Sequence, residues 1–335
     1  MAAAADSKSA ALKACGFESL SRHRSTYLTL IDGMRTLLST LLILSALAQA
    51  GTEPCLIGYL PARGVTEFDA KRFPGLTDLI LFSAEPKPDG SLDLSRLSAI
   101  PWEKLRPFQS AGGRIHICLG GWGRSENFAA VTADEKMRTK FVSEVIRFCT
   151  EHNLAGVDLD WEHPKGKEQL AAYGKLIADL HKGMLSQKGI VSITIASINQ
   201  LPPSAVNDAD RIQLMAYDMP GPHSTFEAST KRLDDLIAAG VPKHKLVLGV
   251  PFYGRGVTDR NRTLPYREII LRYKLKPDQD EVDSLAFNGP ATMKRKADLA
   301  LQRALSGIMV WELTQDAPSK DSLFRELRVT LDSQR

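Results

Sequence analysis

Apolar and polar positions along the chain follow two alternating periods. Eight short apolar runs lie at residues 55–60, 77–83, 114–119, 156–162, 190–197, 211–217, 246–252 and 307–313. Longer stretches with helical spacing separate them, clearest at 134–152, 167–187, 226–239 and 293–305. Short runs alternating with longer amphipathic segments predict βαβ units and a parallel sheet. Eight such units in ~280 residues fit an α/β fold of the single (β/α)8 TIM-barrel type. An open doubly wound sheet is the alternative. It would need a Gly-rich phosphate-binding turn after an early strand, and Gly58-Tyr59-Leu60-Pro61 does not supply one. The connection from 254 to 307 holds helix-like segments at 265–273 and 293–305, which leaves no room for a second folded domain.

The fourth run carries the chemistry. Side chains two apart on a strand share a face, so Asp158, Asp160 and Glu162 point one way and Val157, Leu159 and Trp161 the other. The apolar set suits the helix-facing side, which turns three carboxylates into the barrel. They cannot all ionise cheaply, so at least one should keep its proton near neutral pH, as a general acid must. Glu162 stands at the C-terminal end of the run, where barrel active sites lie. A salt-bridged acidic strand end is the plainer reading, but burying three carboxylates without purpose is costly. An acidic triplet could also hold Mg²⁺ or Ca²⁺. Side chains ~7 Å apart along one strand do not converge on one ion, so no metal is expected.

Gly156-Val157-Asp158-Leu159-Asp160-Trp161-Glu162 resembles the D-x-x-D-x-D-x-E signature of family 18 glycoside hydrolases, the chitinase family. Further motifs follow in that family's order. Cys118-Leu119-Gly120-Gly121-Trp122 resembles its S-x-G-G strand, and Gln213-Leu214-Met215-Ala216-Tyr217-Asp218 its sixth strand. The segment from Gly249 to Arg255 resembles the seventh, and Gly307-Ile308-Met309-Val310-Trp311-Glu312 the eighth. The resemblance implies a compact member without the inserted α+β domain, with residues 51–335 as its catalytic domain. It also implies substrate-assisted, retaining cleavage of β-1,4-linked N-acetylglucosamine glycans without a cofactor. Glu162 would protonate the glycosidic oxygen, Asp160 would orient the acetamido group, and Asp158 would shuttle charge beneath it. Tyr217 would hold the acetamido oxygen and Trp311 would floor the site. Asp218, Met215, Gln213, Trp122, Gly121 and Tyr59 complete the expected substrate-binding set.

Two positions depart from the pattern. Ala155 stands where the family has its first Asp, and Cys118 where it has the serine of S-x-G-G. The serine and a tyrosine matching Tyr59 are expected to hold Asp158. A thiol is a weak donor, so Asp158 is expected to be less well held here. By alternation Trp161 belongs to the core, as does Trp102 in its helix-like segment. His163 is expected to be a local partner of Glu162 rather than a second catalyst. Asn261-Arg262-Thr263 is a glycosylation sequon if the host glycosylates.

Composition narrows the partners. The charge is +4, and the first fifty residues hold five basic against three acidic side chains, leaving +2 for the rest. That balance, with no basic aromatic stripe, argues against nucleic acid. Arg35, the apolar run 36–47 and Ala48-Gln49-Ala50 form the three parts of a secretory signal. The run is shorter than the ~20 residues of a membrane span, although an uncleaved anchor or amphipathic helix is the alternative. Residues 1–50 are accordingly read as an N-terminal extension and signal. The protein is expected to be a secreted or periplasmic monomer without stable membrane insertion. Cys55, Cys118 and Cys149 remain after cleavage of the segment holding Cys15. Their odd number and spacing favour buried free thiols, with a single disulfide the alternative.

Three functions stay open at this point. Chitin or chitooligosaccharide hydrolysis leads. Endo-β-N-acetylglucosaminidase or peptidoglycan-type action uses the same chemistry, and a chitin-binding lectin is the non-cutting alternative. With no inserted domain, the groove is expected to be shallow and open, suited to an endo-acting enzyme.

Overall fold

A computed structural model describes residues 53–333. The expected leader and Cys15 lie outside them. All eight apolar runs become strands of one parallel sheet. These are β1 (Cys55–Pro61), β2 (Asp78–Pro86), β3 (Arg114–Gly120), β4 (Gly156–Asp160), β5 (Ile190–Ile195), β6 (Arg211–Leu214), β7 (Leu246–Pro251) and β8 (Gly307–Trp311). Neighbours pair in sequence order, and β1 pairs with both β8 and β2, which closes the barrel. The fold is a (β/α)8 barrel.

Longer helices form at the five segments that the apolar spacing marks, and one more, not expected, forms near the C-terminus. They are α1 (Glu135–Glu151), α2 (Gly166–Met184), α3 (Phe226–Ala238), α4 (Tyr266–Arg272), α5 (Pro290–Gln302) and α6 (Leu323–Asp332). Side-chain oxygens of Asp134, Thr225 and Ser322 accept backbone N–H bonds at the starts of α1, α3 and α6. Outward side chains such as Leu79, Ile117, Val157, Leu159 and Ile193 meet the helices in one continuous core. A second, smaller cluster fills the barrel, built from Tyr59, Cys118, Met215, Tyr217, Val247 and Met309 among others. Trp161 lies in the outer core, stacked on Phe128 and edge-on to Tyr173. Trp102 packs partly buried against His152 and Phe148.

The connection between β7 and α5 is more structured than its two expected helices. Tyr253–Gly256, Thr263–Pro265, Glu281–Val282 and Leu285–Ala286 form a small antiparallel sheet around α4. Tyr253–Gly256 is central in it, because it pairs with both Thr263–Pro265 and Leu285–Ala286. Cys55, Cys118 and Cys149 are buried free thiols. Among the described residues, no helix is long and apolar enough to cross a membrane.

The N-terminal end of the barrel is closed by an ionic cluster. Asp78, fully buried at the start of β2, accepts two bonds from Arg114, each 2.7 Å. Arg211 adds a third at 2.9 Å, and His116 Nε2 lies 2.8 Å away. These partners outweigh the cost of burial and hold the Asp78 carboxyl far below the usual range.

Candidate active site

Strand register builds the inner face of the carboxylate strand. In the pairing of β3, β4 and β5, Cys118 lies opposite Asp158, and Asp158 opposite Ser192. Thr194, two residues along β5, shares that inward face and lies opposite Gln213 of β6. Asp158 is fully buried at this meeting point. It accepts hydrogen bonds from Tyr59 Oη (2.5 Å), Ser192 Oγ (2.5 Å) and Gln213 Nε2 (2.6 Å), with Thr194 Oγ1 at 3.1 Å.

Two expectations are therefore corrected. Asp158 is not poorly held despite Cys118, because β5 and β6 supply hydroxyl and amide donors that the thiol does not. Gln213 has no exposed surface and serves Asp158 from below rather than touching substrate. Ser192 and Thr194 were not singled out from the sequence, although two hydroxyls alternating in an apolar run are a readable signal.

Asp160 sits one step nearer the mouth of the barrel, 4% exposed. Among the described residues its Oδ1 has no hydrogen-bond partner. Burial, then repulsion from Glu162 and Asp158, drives its pKa well above the normal carboxyl range and favours the neutral form. Glu162 follows the end of β4, and its backbone N–H donates to Ser125 Oγ. Burial raises the Glu162 pKa to about 7, and the charge of Asp218 adds to the rise. His163 Nε2 stands 3.6 Å from Glu162 Oε2, too far for a good hydrogen bond. Gly121 has φ +104°, and a Cβ there would meet the Phe82 ring at 2.4 Å. Its N–H donates to Asp160 O at 2.7 Å, so this glycine lets the loop fold tightly onto the carboxylate strand.

Asp218 also holds a positive φ, 57°, a conformation uncommon for a residue with a side chain. Its Oδ1 accepts from Tyr253 Oη at 2.6 Å, and Arg255 Nε lies 3.0 Å away. His223 Nδ1, fully buried, is 3.4 Å off. Burial opposes ionisation of Asp218, but His223, Tyr253 and Arg255 prevail and keep it charged. Lys296 of α5 anchors the same loop, donating to Ser224 O, Ser224 Oγ and Asn288 Oδ1. Its complete burial brings its pKa down to about 7. None of Tyr253, His223, Arg255 and Lys296 was picked out individually from the sequence, because each lies far along the chain from Asp218 or reads as an ordinary core or surface position.

These groups open into a cleft of about 790 Å³ at the C-terminal mouth of the barrel. Glu162, Asp160, Tyr217, Asp218, Met215 and Tyr59 line it, as does Trp311, which packs edge-on against Tyr59 and Phe82. Tyr217 is buried and remains a phenol, its pKa raised first by burial. Trp122 is 77% exposed at the rim. Among the described residues, no group of three or more His, Cys, Asp or Glu side chains is arranged to hold a metal ion.

The sequence profile of Glycosyl hydrolases family 18 matches residues 56–316. The chain belongs to that family. Chitinase 1 of Aphanocladium album is 25% identical over 286 residues, covering 68% of this chain and 67% of that protein. The chain spans 62% to 67% of the length of this relative and two other curated ones, and less of several more. The crystal structure of the family 18 chitinase ChiB from the chitin utilization locus of Flavobacterium johnsoniae superposes with a TM-score of 0.75 at 28% identity. That match covers 84% of this chain and 95% of ChiB. The chitinase-like agglutinin of Robinia pseudoacacia shares the fold, with a TM-score of 0.71 at 20% identity over 82% of this chain and 99% of its own.

Proposed function

We propose that the protein hydrolyses β-1,4-linked N-acetylglucosamine glycans such as chitin, with Glu162 as the general acid. One observation carries this reading: Glu162 faces an open cleft and keeps a proton up to about pH 7. Glu162 donates that proton to the glycosidic oxygen as the bond to the anomeric carbon breaks. The substrate's own acetamido carbonyl oxygen closes on the same carbon, giving an oxazolinium ion. The positive charge that develops beside Asp160 offsets the repulsion from its two acidic neighbours that raises its pKa. Asp158, fixed from three sides, holds the innermost position beneath it. Tyr217 holds the acetamido oxygen, and Trp311 faces the sugar ring. Water then attacks the anomeric carbon and loses a proton to the Glu162 carboxylate, the bond from that carbon to the acetamido oxygen breaks, and the acetamido group is restored on a product of retained configuration. Export through the N-terminal segment and action as a monomer belong to the same proposal.

Product NMR on a chitooligosaccharide tests the chemistry. The first-formed anomer is expected to be β, and an α product would sink the acetamido-assisted route. A family barrel can also bind sugar without cutting. Wild-type protein that binds chitooligosaccharides and releases no product would establish that second reading.

A further inference from the structure

The overall charge is close to balanced, yet the cleft concentrates guanidinium groups. Arg232 of α3, Arg255 and Arg260 all line it. Arg255 is matched by Asp218. Arg260 donates to the backbone carbonyls of Met219 and Asp218, at 2.8 and 2.9 Å. Arg232 Nη1 donates to Ala196 O at 2.5 Å. Among the described residues, the contacts of Arg232 and Arg260 are to neutral oxygens and include no ion pair with a carboxylate. Arg124, which is not itself a lining residue, lies 4.4 Å over the ring of the cleft residue Phe82 and donates to the neutral Ser83 hydroxyl. Burial, then repulsion from Arg96 and Arg63, lowers its pKa.

The acids facing these groups do not cancel them. Asp235, the acid that acts on Arg232, is paired with Lys231, and the charge of Asp218 is already answered by Arg255. Glu162 keeps a proton up to about pH 7, and burial with repulsion from its acidic neighbours favours the neutral form of Asp160. His163, the remaining titratable imidazole in the cleft wall, has its pKa lowered by burial. At and below neutral pH the cleft is therefore electropositive, and walls of one sign focus that field onto whatever enters. A neutral polymer gains little from this, and a deacetylated, cationic one is repelled. A carboxylate gains most, because the guanidinium fork matches its two oxygens.

We propose that the cleft selects an acetamido glycan bearing carboxylates over neutral chitin. The proposal rests on the acetamido-glycan reading above. Two sources carry this chemistry: lactyl-ether carboxylates on alternate sugars of a β-1,4 chain, and sialic acid on a glycoprotein glycan.

Equilibrium binding to the full chain carrying Glu162→Gln, which leaves ligands uncut, separates the alternatives. The probes are a neutral chitooligosaccharide, the same chain with lactyl ethers on alternate sugars, and the methyl ester of the latter. A sialylated chitobiose-core glycan and its desialylated form make a separate pair. The lactyl acid is expected to bind about tenfold tighter than its ester at low salt, with most of the gain lost near ~0.5 M NaCl. Adding Arg232→Gln or Arg260→Gln should shrink the acid-to-ester ratio severalfold, whereas Arg232→Lys should retain part of it. Comparing ratios rather than absolute affinities controls for a partly unfolded variant. A preference confined to the sialylated pair supports the same carboxylate chemistry from the other source. Equal affinity for acid and uncharged form in both pairs overturns the proposal, as does a ratio unchanged by both arginine substitutions. Wild-type protein that cuts none of these probes, while the charge preference persists, would defeat the hydrolase reading and leave this one standing.

Discussion

Two buried aspartates at opposite ends of the barrel behave in opposite ways. Asp78, at the N-terminal end, meets Arg114, Arg211 and His116 and is held ionised. Asp160, at the C-terminal end, meets other carboxylates, has one oxygen unbonded among the described residues, and is pushed toward its neutral form. Both are almost completely buried, so burial alone does not decide the charge. Partners do. The N-terminal end uses carboxylate chemistry to stabilise, and the C-terminal end keeps it unsatisfied and reactive.

The largest expected effect is at the reactive end. Glu162→Gln should lower kcat on chitooligosaccharides by roughly 10²–10⁴-fold, with the unfolding transition little changed. Full retained activity would place the acid elsewhere. At the other end, Asp78→Asn should leave Arg114 and Arg211 without their counter-charge and cost about 3–5 kcal/mol in urea denaturation. Activity per folded molecule should survive, because Asp78 lies at the far end of the strands from the cleft.

The pH dependence should separate the ends next. The kcat/KM profile is expected to fall above about pH 7, where Glu162 loses its proton. Asp218→Asn removes a charge that raises that pKa, so the alkaline limb should move to lower pH. An unmoved limb would show that Asp218 does not tune the acid.

Stability should respond with opposite signs at the two ends. Glu162 and Asp160 bind protons more tightly folded than unfolded, so they make stability fall as pH rises through the ordinary carboxyl range toward 7. Asp78 is depressed, so its contribution is present above the ordinary carboxyl pKa and is lost as pH falls through its lower folded value. Glu162→Gln should flatten the loss between about pH 4.5 and 7 in chemical denaturation curves, whereas Asp78→Asn should not. The smallest effect is expected at Cys118→Ser, within about 1 kcal/mol and a few-fold in kcat, because Asp158 already has its donors.

Sequence periodicity alone determined the eight strands, their order and the inward face of Asp158, Asp160 and Glu162. Those are local properties: strand alternation depends on neighbours two residues away, and helical spacing on neighbours three or four away. The run ends were less legible. The fourth run reads through to Glu162, whereas β4 stops at Asp160, and the sixth reads to Tyr217, whereas β6 stops at Leu214. Backbone pairing, rather than apolar character, ends a strand.

What holds each carboxylate was decided by tertiary structure. Ser192, Thr194 and Gln213 reach Asp158 through the register of three strands, and Tyr253 and Arg255 reach Asp218 across wide gaps in sequence, beside His223 of its own loop. The weak hold expected of Cys118 followed from reading one position by itself, when four other residues surround the same carboxylate. The guanidinium-rich wall was hidden for the same reason. A nearly balanced composition does not say where its charges gather, and only the closed barrel brings Arg232, Arg255 and Arg260 to one cleft.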